Sequence, residues 1–320
     1  MVVTRKPGLF SRGDSRVLLL LAFASIYIIW GSTYLAIRYA VETIPPLITA
    51  GARHLGAGAV LMAWALARGY RPDRRELRSS LVLGILFFFI GHGTLHWAEQ
   101  IVPSGLAALL VATEAMWVAL LGAVFFRQKL NLANLVGLVL GLVGVMLLTI
   151  GQGTSAQSAS LLGVIVILLG TVSWSLGMLY STRATLPSDP LARAAMPLLV
   201  GAVLLLTTAG FTGEFRGLQV ANVTAKSALG LLYLIVFGSI VAFTAYTWLL
   251  ERVAPNVIVT HTYVNPVVAV WLGWAWAGEA MSPRTTLAAI LVVVAVILMS
   301  FNTSEESAQE ARGEQSEEAA

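Results

Sequence analysis

Ten apolar runs of about twenty residues each, separated by short polar stretches, leave few folds open to this chain. They occupy residues 17–38, 46–66, 79–96, 103–126, 131–150, 161–182, 190–211, 227–250, 256–276 and 284–301. A helix rising 1.5 Å per residue needs roughly 20 such residues to cross the hydrocarbon of a bilayer. The runs are rich in Leu, Ala, Gly and Val, and they lack the short alternating pattern of a membrane β-barrel strand. With 58% of the 320 residues hydrophobic and 11% charged, the apolar surface exceeds what a water-soluble core encloses. The expectation is an all-α integral membrane protein of ten transmembrane helices. The first run is too long for a cleavable signal peptide and leads straight into further spans, so it reads as a retained helix. No cysteine is present, which excludes disulfides and thiolate chemistry.

Charge orients the spans. The formal net charge of +4 hides an acidic end, because residues 302–320 hold six glutamates and one arginine. That stretch reads as a disordered, solvated cytoplasmic tail. Placing the amino terminus in the cytoplasm puts fifteen of the twenty basic residues inside, including Arg5, Lys6, Arg12 and Arg16 and the run Arg68, Arg71, Arg74, Arg75 and Arg78. The positive-inside bias therefore favours both termini in the cytoplasm, with residues 1–16 as a short leading segment.

The chain also repeats itself. A shift of 144 residues superimposes Trp30 on Trp174 and Pro46 on Pro190, and a shift of 152 superimposes Glu99 on Glu251, Pro103 on Pro255 and Arg127 on Glu279. The eight extra residues fit the longer loop after the seventh span. The halves, 17–150 and 161–301, hold five spans each. An odd number forces the second half to insert upside down, which gives the pseudo-two-fold axis in the membrane plane used by carriers that alternate access.

Several stretches carry a family likeness. Trp30-Gly31-Ser32-Thr33-Tyr34-Leu35-Ala36-Ile37-Arg38, then Pro45-Pro46 followed by Arg53, then Asn265-Pro266 with Glu279, together resemble the EamA family of the drug/metabolite transporter superfamily. The resemblance covers nearly the whole chain and rests on the ordered set of motifs. It implies a ten-helix carrier of the bacterial inner membrane, often an exporter of amino acids or related metabolites, with a central cavity between the halves. Many relatives carry a proline in both halves where this chain has Glu114 in the first and Pro266 in the second.

An ionisable group in hydrocarbon costs roughly 2.5–3.5 kcal/mol on insertion scales, so each one inside a span is a functional candidate. Glu114, near the middle of the fourth span, is the candidate for proton coupling; its alternative is a neutral structural carboxyl bonded to a neighbouring helix. Arg53 can snorkel to the interface, offer its guanidinium fork to a substrate carboxylate, or pair with Glu42 or Glu99. His92 and His96 share a helical face, and a polar cavity lining or an interhelical bond fits them better than a metal, for want of a third ligand of defined spacing. His54 has no role beyond its place beside Arg53. His261 and Asn265 also lie four apart, and Pro266 frees the Thr262 carbonyl near the membrane interior, either as a site or as a packing kink. Trp30 and Trp174 occupy equivalent places and are candidates for stacking on a substrate, whereas Trp271, Trp274 and Trp276 read as interfacial anchors.

These candidates, Glu114, Arg53, His92, His96, His261, Asn265, Trp30 and Trp174 with the helix break at Pro266, point to a small-molecule carrier whose partners are its solute, the lipid bilayer and a proton. No cofactor or metal is expected, and nucleic-acid binding has no support beyond charge. A membrane enzyme is disfavoured, since no nucleophile elbow, metalloprotease helix motif or phosphate-cradling glycine loop occurs.

Overall fold

The computed structural model describes residues 16–126, 132–149, 160–250, 253 and 261–298. Among them it places helices α1 (Arg16–Ala40), α2 (Pro46–Ala67), α3 (Arg74–Ala98), α4 (Ser104–Ala112 and Glu114–Phe126) and α5 (Leu132–Thr149), then α6 (Leu161–Ser181), α7 (Pro190–Thr212), α8 (Ala225–Tyr233 continuing to Leu250), α9 (His261–Ala277) and α10 (Pro283–Leu298). Six of these segments are long and apolar enough to span a bilayer and three are shorter apolar helices. The tenth, α2, runs 22 residues and carries Arg53 and His54. The third span starts earlier than its hydropathy suggests, at Arg74, because Asp73 and Glu76 form a capping box there. The acidic tail, the leading segment, Glu251, Pro255 and Arg127 lie outside the described residues.

The repeat is visible in local structure. Pro46 and Pro190 both occupy the first turn of their helices, where a missing N–H costs nothing. The same two helices end at Gly69 (φ 88°) and Gly213 (φ 82°), in the left-handed region that stops a helix without a Cβ penalty. The same shift of 144 residues relates both pairs. The third helix of each half carries a π segment, Gly84–His92 in α3 and Leu234–Val241 in α8. The longer loop after α7 holds the short turns Glu214–Gly217 and Val220–Asn222.

The halves meet through antiparallel pairs of helices, as an inverted repeat requires. On α2 and α7, Gly51 faces Leu206 and Gly58 faces Leu199. On α5 and α10, Gly141 approaches Ala295 and Gly144 approaches Val292. The pair α1 and α8 joins through Gly230 against Ala36 and Gly238 against Thr33; its repeat mate, α6 and α3, joins through Gly170 against Thr94 and Gly177 against Phe87. Lipid tails are as apolar as leucine, so such close approach and interhelical hydrogen bonds, rather than water exclusion, hold the helices together. Large apolar side chains such as Leu20, Val139 and Phe211 stay exposed on the outside, where lipid covers them.

Candidate functional site

Three bends in the backbone aim the site residues. A π segment, Ser25–Ile29, precedes Trp30 in α1. The π segment of α3 ends at His92 and that of α8 contains Ser239. Such turns widen the helix and leave carbonyls for side chains to bind. Asn265 meets this need in α1, since its amide nitrogen, turned toward the carbonyls, donates to Tyr27 and to His261 at 3.1 Å each. Helix α9 continues through Pro266. Helix α4 instead breaks at Thr113, one residue before Glu114.

The repeat-related tryptophans meet through a chain of aromatic rings. Trp30 lies edge-on to Phe243 (centroids 5.5 Å apart) and His261 (5.1 Å), and beside Tyr246 (5.2 Å). Phe243 contacts Phe88, and Phe88 contacts Trp174. Trp174 stacks on His92 at 5.0 Å with 20° between planes. The indole N–H groups diverge: Trp30 donates to the Gly238 carbonyl at 3.1 Å, whereas the Trp174 indole lies beside the Glu114 side chain. Trp30, Trp174, His92, Glu114 and His261 are all half-buried.

A second group is closed off. Arg53 is 3% exposed, and its Nε donates to Ser239 Oγ at 3.0 Å. The arginine stays inside the bundle and does not snorkel; Glu42, one of its candidate partners, binds Lys226 instead. The other, Glu99, has no hydrogen-bond partner at either carboxylate oxygen and so is not paired with it. His54, unassigned by the sequence, is fully buried and pairs through Nε2 with His92 Nδ1 at 3.2 Å. His96 is fully buried and donates through Nδ1 to the His92 carbonyl at 2.7 Å. Among the described residues no cluster of His and acidic side chains has the arrangement to hold a metal ion.

Carboxylates from the second half close one end of the bundle. Glu279 accepts from the N–H groups of Ser104 and Gly105 and from Ser104 Oγ, which caps α4. Glu214 does the same for α2, accepting from the N–H groups of Leu47 and Ile48. Unpaired N–H groups and the positive end of the helix dipole favour an anion at both places. Sequence reasoning gave Glu279 only a place in a motif and passed over Glu214, because both caps come from distant chain. Phe88, Phe243 and Tyr246 were passed over too, as they sit on or beside π segments where helical periodicity gives no signal.

Ten helices in two inverted halves, with small-residue packing between them and ionisable groups at membrane depth, define a membrane transporter of small solutes. The chain belongs to the EamA-like transporter family, whose sequence pattern matches residues 17–150 and 161–301. It is 39% identical to the uncharacterized inner membrane transporter YedA of Escherichia coli K12, over 88% of this chain and 90% of that protein. The uncharacterized transporter YoaV of Bacillus subtilis is 25% identical, over 90% and 98%, and the WAT1-related chloroplastic protein At3g02690 of Arabidopsis thaliana 24%, over 93% and 73%. A crystal structure of a protein 20% identical superimposes with a TM-score of 0.60, covering 90% of this chain and 98% of the other, and shares the fold.

Proposed function

We propose that this carrier exports amino acids or related small metabolites across the bacterial inner membrane by alternating access, with Glu114 coupling export to a proton. The observation that carries the reading is the aromatic chain joining Trp30 to Trp174, with Glu114 beside the second indole. Stacked and edge-on rings suit the planar or aliphatic part of a solute. A carboxyl beside them can exchange its proton as the cavity faces either side. Both termini lie in the cytoplasm in this reading, following the positive-inside bias, and the domains are the five-helix halves 17–150 and 161–301 with a leading segment and an acidic tail.

Proteoliposomes loaded with labelled aromatic and aliphatic amino acids, with and without an imposed pH gradient, test the proposal. Gradient-dependent flux of one class is expected, and Glu114→Gln should abolish the gradient dependence while leaving exchange. Wild-type behaviour of that variant removes the coupling role, in which case the chain works as an uncoupled exchanger. Absence of flux for every solute overturns the substrate class.

A further inference from the structure

The buried group behind the aromatic chain has an imbalance of hydrogen-bonding atoms. His96 donates through Nδ1 to a carbonyl, which can only accept, so its Nε2 is the bare, accepting nitrogen. That Nε2 is buried and has no partner. Both carboxylate oxygens of Glu99 are likewise buried without a partner, and the residue is wholly unexposed. His96 and Glu99 lie three apart, on one face at the end of α3. Arg38 donates to the Glu99 main-chain carbonyl and not to its carboxylate. Three acceptors at the end of α3 are therefore buried without a donor, and unmatched buried polar atoms in native proteins are met by a proton or an ordered water.

A route leads to these acceptors. His92 is half-buried and stacks on Trp174 at the aromatic site. It bonds His54, whose other ring nitrogen, Nδ1, is again buried and unpartnered. The ring of His96 lies 6.0 Å from that of His92 and 6.2 Å from that of His54, centroid to centroid, a gap that one water can bridge.

We propose that Glu99 and His96 form a proton-holding site, distinct from Glu114, which His92 and His54 connect to the aromatic chain. The ligand is a proton, taken from water at His92, passed along imidazole nitrogens and bridging water, and held as the carboxylic O–H of Glu99, which a bridging water links to His96 Nε2. No bond other than N–H and O–H forms or breaks. The groups acting on the site are Arg38 and Tyr34 from α1, Arg53 and His54 from α2, His92 on α3 itself, and Glu279 from the loop after α9. Its role in transport rests on the carrier reading; its existence does not.

The test is infrared difference spectroscopy of the purified full-length protein in nanodiscs, titrated from acid to alkaline pH, following the carbonyl stretch of protonated carboxyl groups. The wild type should keep a protonated-carboxyl band beyond the pH at which exposed carboxyls have lost theirs. Glu99→Gln should remove one carboxyl equivalent of that band, and Glu114→Gln should leave that equivalent in place. His96→Phe should shift its frequency by removing the acceptor, a readout open even if Glu99→Gln does not fold. An unchanged band in folded Glu99→Gln, or an unshifted one in His96→Phe, overturns the site. Transport is scored separately in the wild type: absence of a Glu99-dependent band with flux intact refutes this site alone, and absence of flux with the band present refutes the carrier reading alone.

Discussion

Arg53 and Pro197 occupy equivalent places in α2 and α7, and Glu114 and Pro266 in α4 and α9. At two points the first half carries an ionisable side chain where the second carries a ring without an N–H. The backbones around them remain alike, with proline starts, glycine stops and π segments in matching helices. A duplicated scaffold has thus kept its symmetry in packing and lost it in chemistry. The histidines follow the same division, since His54, His92 and His96 fall opposite Leu198, Thr244 and Trp248. An inverted repeat needs two matching halves to rock between two states, but a proton or a solute needs only one set of polar groups near the axis.

The largest effect should come from forcing the second half's residue onto the first. Arg53 lies in the interior of an unbroken helix, so Arg53→Pro removes a backbone bond and clashes with the preceding turn, at about 3 kcal/mol or more. It also strands the buried Ser239 hydroxyl. Pro197→Ala, in the mate position, should change the melting temperature in detergent far less. Equal losses in the two variants would break the claim that these places are chemically distinct.

A smaller effect separates two mated helix crossings. On α3 against α7, a Cβ at Gly84 would stand 2.5 Å from Val200 Cβ and 2.8 Å from the Pro197 carbonyl, and that backbone cannot yield. Gly84→Ala should therefore cost about 1–3 kcal/mol through overpacking. On α2 against α8, a Cβ at Gly56 would meet the side chain of Ile235 at 3.2 Å, which can shift. Gly56→Ala should be nearly neutral, because the helix-propensity gain of roughly 1 kcal/mol offsets the squeeze. Thermal unfolding of both variants decides it.

Capping gives the next comparison. Glu279 reaches from the second half to cap α4, whereas α7 is capped by its own neighbour Asp189, which accepts from Leu191 and Ala192 N–H. Each alanine variant should cost roughly 0.5–2 kcal/mol. Only Glu279→Ala should also loosen the two halves, seen as faster amide hydrogen exchange at Ser104 and Gly105 without matching exchange in α7. Uniform exchange in both variants would mean that the cap across the halves does no more than a local one.

The span pattern, the repeat and the paired tryptophans were legible because each is written in periodicity or residue identity along the chain. Trp30 and Trp174 match by number, and the rings that connect them were invisible because Phe88 and Phe243 meet across α3 and α8. The polar group was half-legible. Insertion cost singled out His92 and His96, yet nothing in one sequence says that His54 turns toward them or that Arg53 turns inward to Ser239. Glu99 stood out only as a repeat match of Glu251 and a candidate partner for Arg53, and its complete burial depends on chain that one sequence does not bring together.

Glu114 sharpens the comparison most, through function more than through stability. Helix α4 breaks at Thr113, whose carbonyl accepts from the N–H groups of Met116 and Trp117, so residue 114 begins a new helical segment. The first position of a helix tolerates proline, since its N–H has no partner within the helix and its φ is already suitable. Thr113 is αR (φ −65°, ψ −5°) and must turn toward the extended region before a proline, yet Glu114→Pro should still cost less than the ~3 kcal/mol or more expected for a proline at Arg53. The variant should keep the fold and lose the carboxyl beside Trp174. Flux of the solute should survive while its dependence on a pH gradient disappears, measured in the same proteoliposomes as the wild type. If Glu114→Pro unfolds, the break at Thr113 is not a helix start and the backbone symmetry with Pro266 fails. If it folds and keeps its gradient dependence, the coupling proton resides elsewhere in the first half.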